Sequence, residues 1–281
     1  MKKEFIYKIL LLLIFLPGCF SSQQLPHYIN KNNPVKSVKL DKDLKEISGL
    51  AVSNDGRLFA HNDEKGEVFQ IDTQNGKIIK KFKLGGKKKV KEDFEGIAIV
   101  NDDFYMVTSG GDIYKFKEGS NKGDVDYDVF KTGLKSKYDV EGLCYDPETN
   151  ALLLACKEFA GKKYDDERAV YSFSLDKNKM GNKPRFLISI DKIESIKGVH
   201  EFKPSAIERN PVTGSFFIVG GKGFVVIEIS KEGKILSYME LNRHIHAQPE
   251  GIAFLPDNTM LISDEAVSSD ALLSFYRYTK K

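Results

Sequence analysis

The sequence of 281 residues predicts an all-β chain folded as a β-propeller of five four-stranded blades. Three observations carry that expectation. A short phrase recurs five times at regular spacing, each recurrence leads into a tight turn and an apolar strand, and no stretch holds an apolar period of 3.6 residues. The phrase reads Ile47-Ser48-Gly49-Leu50-Ala51, Phe94-Glu95-Gly96-Ile97-Ala98, Val140-Glu141-Gly142-Leu143-Cys144, Pro204-Ser205-Ala206-Ile207-Glu208 and Pro249-Glu250-Gly251-Ile252-Ala253. From Ser48 through Glu95, Glu141 and Ser205 to Glu250 the steps are 47, 46, 64 and 45 residues. Four strands in about 45 residues is the length of a propeller blade.

In chain order, residues 1–18 read as a signal peptide. Lys2 and Lys3 supply its positive start, and Ile9 to Leu16 form an apolar stretch too short to span a membrane. Leu16-Pro17-Gly18-Cys19 resembles a bacterial lipobox, which makes Cys19 the expected lipidation site. The alternative is an ordinary secretory signal cut near Ser21. Residues 19–34 are polar and read as a tether, and residues 35–281 as the propeller domain. Phe20 stands where an Asp would favour inner-membrane retention, so the expected place is the cell envelope, with the outer membrane mildly preferred.

Within each unit the phrase is followed by turn residues, such as Asn54-Asp55-Gly56, Asp146-Pro147 and Asn210-Pro211. A strongly apolar strand comes next, Phe104-Tyr105-Met106-Val107 and Phe216-Phe217-Ile218-Val219 among them. Two further strands complete the unit. The last unit has only three, and Val35 to Leu40 is expected to supply its fourth, leaving no open sheet edge. The long third unit is too short for a sixth blade, so its surplus is expected in loops at residues 159–168 and 177–183.

These phrases, with Ala155-Cys156-Lys157-Glu158, Gln248-Pro249-Glu250-Gly251 and Phe275-Tyr276-Arg277-Tyr278, resemble the SdiA-regulated (YjiK-like) family over nearly the whole chain from about Val38. The resemblance implies the propeller fold and an envelope location. It implies no activity. A looser similarity of the Asp-x-Glu-Gly-Leu phrase, Asp139 to Leu143 here, links the chain to phytase-like and esterase-like propellers.

Blade-opening strands lie nearest a propeller's axis, so five register marks should meet at one channel mouth. Three are carboxylates, Glu95, Glu141 and Glu250, expected to hold a divalent cation. Oxygen ligands without clustered His or Cys suit Ca²⁺ first and Mg²⁺ second. Ser48, Asp63, Asp93, Asp139, Lys157, Glu158, Ser205, Asp264 and Glu265 are expected around them as ligand-binding residues. The architectural alternative is that the glutamates tie blade to blade, and Lys157 and Lys203 could neutralise them without a metal.

Lys and Arg total 43 against 40 Asp and Glu, leaving +3, which argues against nucleic acid as a partner. The basic run at residues 87–91 reads as a solvated loop, and so do His200 and the His244 and His246 pair. Cys144 and Cys156 read as buried free thiols rather than a disulfide. No Gly-x-Ser-x-Gly, phosphate-binding loop or His-Glu-x-x-His occurs.

The function expected is thus an envelope-anchored, monomeric lipoprotein that does not bind nucleic acid, binding a cation and a small ligand or protein without demonstrable catalysis. A metal-dependent phosphoester or ester hydrolase is the second reading. A purely structural scaffold is the third.

Overall fold

The computed structural model describes residues 23–28, 33–86 and 90–280. The lipobox, Cys19 and Lys87 to Lys89 lie outside them. Five sheets form a ring, each counted as a blade from its inner strand outward. Blade 1 runs Ile47–Val52, Leu58–Asn62, Glu67–Ile71 and Ile78–Leu84. Blade 2 runs Phe94–Val100, Asp103–Thr108, Ile113–Lys117 and Tyr127–Phe130. Blade 3 opens with Val140–Asp146, Ala151–Cys156 and Glu167–Ser174. Its outer edge is shared by Lys179–Met180 and Phe186–Ser189. Blade 4 runs Lys203–Arg209, Phe216–Lys222, Val225–Ile229 and Ile235–Glu240. Blade 5 comprises Pro249–Phe254, Met260–Asp264 and Leu272–Tyr276. Its fourth strand is Lys36–Lys39, paired antiparallel to Leu272–Phe275, so the N-terminal part of the domain closes the ring as expected.

Alternation drives the packing. Successive side chains on a strand point to opposite faces, and each face meets a neighbouring blade. Leu50 therefore packs towards blade 5 and Ala51 towards blade 2. The described residues accordingly bury one hydrophobic cluster at each of the five blade junctions. The burial of Phe59, Phe104, Leu153 and Phe216 there follows from the apolar second strands the sequence repeats.

The inner strands touch in cyclic order, each against the inner strand of the next blade. The approach is close enough to exclude a side chain. A Cβ on Gly96 would lie 2.8 Å from the backbone nitrogen of Leu143, and one on Gly142 would lie 2.9 Å from that of Ile207. Gly49 and Gly251 stand in the same relation to Ile97 and Leu50, at 3.3 Å each.

Two features differ from the sequence expectation. Part of the polar tether belongs to the fold: Gln23–Gln24 pairs in parallel with Ser237 and Tyr238 on the edge of blade 4. Leu25 and Tyr28 are buried between blades 4 and 5, and the Tyr28 hydroxyl donates to Asn258 O at 3.0 Å. The surplus of the third unit is also distributed more widely, because the helix Ile190–Glu194 and the segment leading to Phe202 take a share. Cys144 and Cys156 are both buried and free. Cys144 lies opposite Leu153 and Cys156 opposite Val140, so they do not face one another.

Replacing Gly142 or Gly96 with Ala is expected to destabilise the fold by about 1–3 kcal/mol, the usual cost of overpacking. Gly86→Ala, with nothing within 4 Å of its added carbon, should be neutral. Chemical denaturation midpoints of the three variants check this.

Candidate functional site

One local irregularity, repeated in every blade, builds the site. Ile47 pairs with Asn62 and Gly49 with His61, leaving Ser48 as an extra residue on the inner strand. The same step leaves Glu95, Glu141, Ser205 and Glu250 extra in blades 2 to 5. A bulge removes its extra residue from the ladder and re-aims the side chain. All five register marks are therefore bulge residues, which is why Ser48, Glu95, Glu141 and Glu250 project at the axis instead of into a blade junction.

Ser48, Glu95, Glu141 and Glu250 line an axial pit of about 140 Å³, together with Glu46, Asp63, Lys157, Gln248 and Glu265. Each glutamate has one close polar partner. The Ser48 hydroxyl donates across the blade junction to Glu95 Oε2 at 3.1 Å. Lys157 Nζ lies 2.9 Å from Glu141 Oε1. Gln248 Nε2 donates to Glu250 Oε1 at 3.1 Å and also to Glu265.

Burial raises the pKa of all three glutamates above the ordinary carboxylate range, because desolvation penalises the charged form. Mutual repulsion adds to it: Glu141 acts on both Glu95 and Glu250, the latter pushed up to about 8. Lys157 offsets part of the rise at Glu141. Burial works against the Lys157 ammonium itself, but Glu141, Glu250 and Asp139 together hold it above the ordinary lysine value. Desolvation likewise raises Asp63, Asp139 and Glu265.

The pit thus gathers Ser48, Asp63, Glu95, Glu141, Lys157, Glu250 and Glu265 from the expected set. Ser205 lines an adjoining cavity and donates to Pro249 O at 2.7 Å, tying blade 4 to blade 5. Asp93 accepts from the Ser109 hydroxyl at 2.6 Å, Asp139 sits at a left-handed corner before blade 3, and Glu158 pairs with Lys203. None of these three lines the pit. Asp264 is turned away from it: its Oδ2 lies 2.7 Å from His246 Nδ1, and His246 Nε2 lies 2.6 Å from the Tyr276 hydroxyl. His246 is therefore fully buried, a departure from the solvated turn the sequence suggested.

The pit's donors are oxygens, as Ca²⁺ or Mg²⁺ would require. Among the described residues, however, no three His, Cys, Asp or Glu side chains stand close enough to hold one ion. At the opposite end of the inner strands the mouth is less acidic, with Ala51, Ala98, Ile99 and Phe254 around about 360 Å³.

Fold and site together define a five-bladed propeller with a carboxylate-rich axial mouth. The chain belongs to the SdiA-regulated family, whose profile matches residues 25–163 and 178–277. No curated protein sequence matches it. Its fold is similar to that of Myxococcus xanthus glutaminyl cyclase, at 12% identity and a TM-score of 0.58, over 88% of this chain and 97% of that one. A luciferin-regenerating enzyme is similar at 11% identity and a TM-score of 0.55, over 87% and 95%. At such identities the likeness concerns the fold alone.

An acid whose pKa is higher in the folded state than in the unfolded one binds its proton more tightly when folded. Its stabilisation is fully present below the ordinary value of 4.5 and is lost as pH rises through about 8 for Glu250. Thermal midpoints are expected to fall over that window, and Glu250→Gln should flatten the fall and raise the midpoint on its alkaline side. A pH series of melting curves on both proteins checks this.

Proposed function

We propose that this chain is a lipid-anchored binding protein of the bacterial cell envelope, whose axial pit takes a positively charged centre and whose mouth presents a ligand- or partner-binding face. One observation carries the reading: six carboxylates, Glu95, Glu141 and Glu250 among them, line the pit with a single lysine. The pit is short of positive charge, so its glutamates keep their protons above the ordinary carboxylate range, and a cation would compete with those protons and bind better as pH rises.

A divalent cation, Ca²⁺ before Mg²⁺, is the first candidate for that centre. It would engage the Glu95 and Glu250 carboxylates in place of their Ser48 and Gln248 partners, leaving Glu141 to Lys157. The hydrolase reading rests on the same cation, which would polarise an ester or activate water. The scaffold reading treats the Ser48–Glu95 bond as the purpose of the pit. The anchor is supported by the lipobox-like Leu16 to Cys19, and no described helix is long and apolar enough to cross a membrane.

Thermal unfolding of the purified chain, stripped with chelator and titrated with Ca²⁺ or Mg²⁺, tests the pit. A saturable rise in midpoint is expected, larger at alkaline than at acid pH and absent from a Glu95→Gln/Glu141→Gln/Glu250→Gln variant. No rise at either pH, with the variant destabilised, would leave the glutamates as blade ties and remove the hydrolase reading as well. For the anchor, Cys19→Ser is expected to move the protein from the membrane to the soluble fraction on cell fractionation.

A further inference from the structure

Beside the acidic pit, over blade 4, lies a cavity of about 540 Å³ whose charge has the opposite sign. It shares Lys157, Gln248 and Glu250 with the pit and adds Lys203, Lys222, Arg243 and His200. Two acids line it, Glu201 and Glu250, against three lysines and one arginine, and each lysine has an acidic partner. Glu201 serves both Lys222, at 3.2 Å, and Lys203, at 3.6 Å, while Lys203 also pairs with Glu158. Lys157 is held by Glu141.

Arg243 has no carboxylate within 4.0 Å among the described residues. Its one polar contact among the described residues is a long bond to Gly198 O at 3.5 Å. The guanidinium carbon instead lies 4.5 Å from the centre of the Phe224 ring. Phe224 is itself held in an unusual way. It occupies the second position of the tight turn between Lys222 and Val225, with φ of 52°, a left-handed conformation that disfavours bulky side chains. Its carbonyl accepts from Leu241 N at 2.7 Å, which fixes the turn against the strand end that leads to Arg243. A strained aromatic residue and an arginine without an acidic partner thus form one wall of a cavity rich in lysine.

We propose that this cavity is an anion subsite, taking the phosphate or carboxylate end of a ring-bearing small ligand, with the ring against the Arg243–Phe224 stack. A guanidinium presents a planar fork to an oxyanion while its face remains on an aromatic ring, and lysines add point charge. The proposal deepens the reading of the pit given above: a ligand with its cationic part in the pit would carry its anionic part over blade 4.

Phenyl phosphate and phenylacetate are suitable probes, because neither carries a cationic centre and neither needs the pit. Calorimetric titration of the purified chain with each is expected to show saturable binding of at least one, and the tighter probe identifies the anion preferred. Arg243→Gln should weaken it about tenfold or more, the usual worth of a charged hydrogen bond, and Lys222→Gln should weaken it less. Arg243 and Lys222 are exposed, so both variants should keep the wild-type melting curve. Glu95→Gln, which alters the pit but not the lining of this cavity, should bind the probe as the wild type does, whether or not cations bind the pit. No binding of either probe, or binding unchanged in Arg243→Gln, overturns the proposal.

Discussion

Five strands cannot start around one axis unless their backbones come closer than ordinary side chains allow. In this propeller the constraint falls on the residue after each register mark, where Gly96 and Gly142 face the backbone of the next inner strand at distances a Cβ would violate. Blade 4 meets it differently. Ala206 replaces the glycine there, and the register slips on both sides of Pro204. Blade angle, the apolar clusters at the junctions and the width of the axial pit all depend on this approach.

The bulge is the second consequence of the same crowding. Moving one residue per blade out of the ladder lets the strand turn at the axis, and it throws that residue's side chain into the channel. Where the residue is serine, the structure uses it to tie neighbouring blades: Ser48 to Glu95, and Ser205 to the Pro249 carbonyl. Where it is glutamate, a carboxylate is brought into a poorly solvated pit beside others. Architecture therefore creates the electrostatic tension from which the site's chemistry follows. The three partners present, a serine, a lysine and a glutamine, relieve only part of it.

Away from the axis, the segment joining blades 4 and 5 is unusually well fixed. His246 is clamped between Asp264 and Tyr276 in the interior, and Gln248 bonds both Glu250 and Glu265 at the mouth. Arg243, a few residues upstream, lies on Phe224. One connection thus orders part of the acidic pit and part of the basic cavity, so the two oppositely charged regions are held at a set separation.

The blade count, the order of the strands and the ring closure by Lys36–Lys39 were all legible in the repeat, because each unit carries its own turn residues and its own alternating strands. The axial position of Glu95, Glu141 and Glu250 was legible for the same reason. What pairs with them was not. A bulge exists only relative to the partner strand, so no single strand's sequence marks Ser48 or Glu95 as the extra residue. His246 looked solvated beside Arg243 and His244, since its burial depends on Asp264 and Tyr276 from later strands. The tether's Leu25 and Tyr28 gave no local sign of docking, because the groove that buries them is made by blades 4 and 5. The cavity over blade 4 joins Lys157, Lys203, Lys222 and Arg243 from separate strands and loops, at sequence distances that carry no period. Local pattern decides which strands form and in what order; which charges end up beside one another is decided by the closing of the ring.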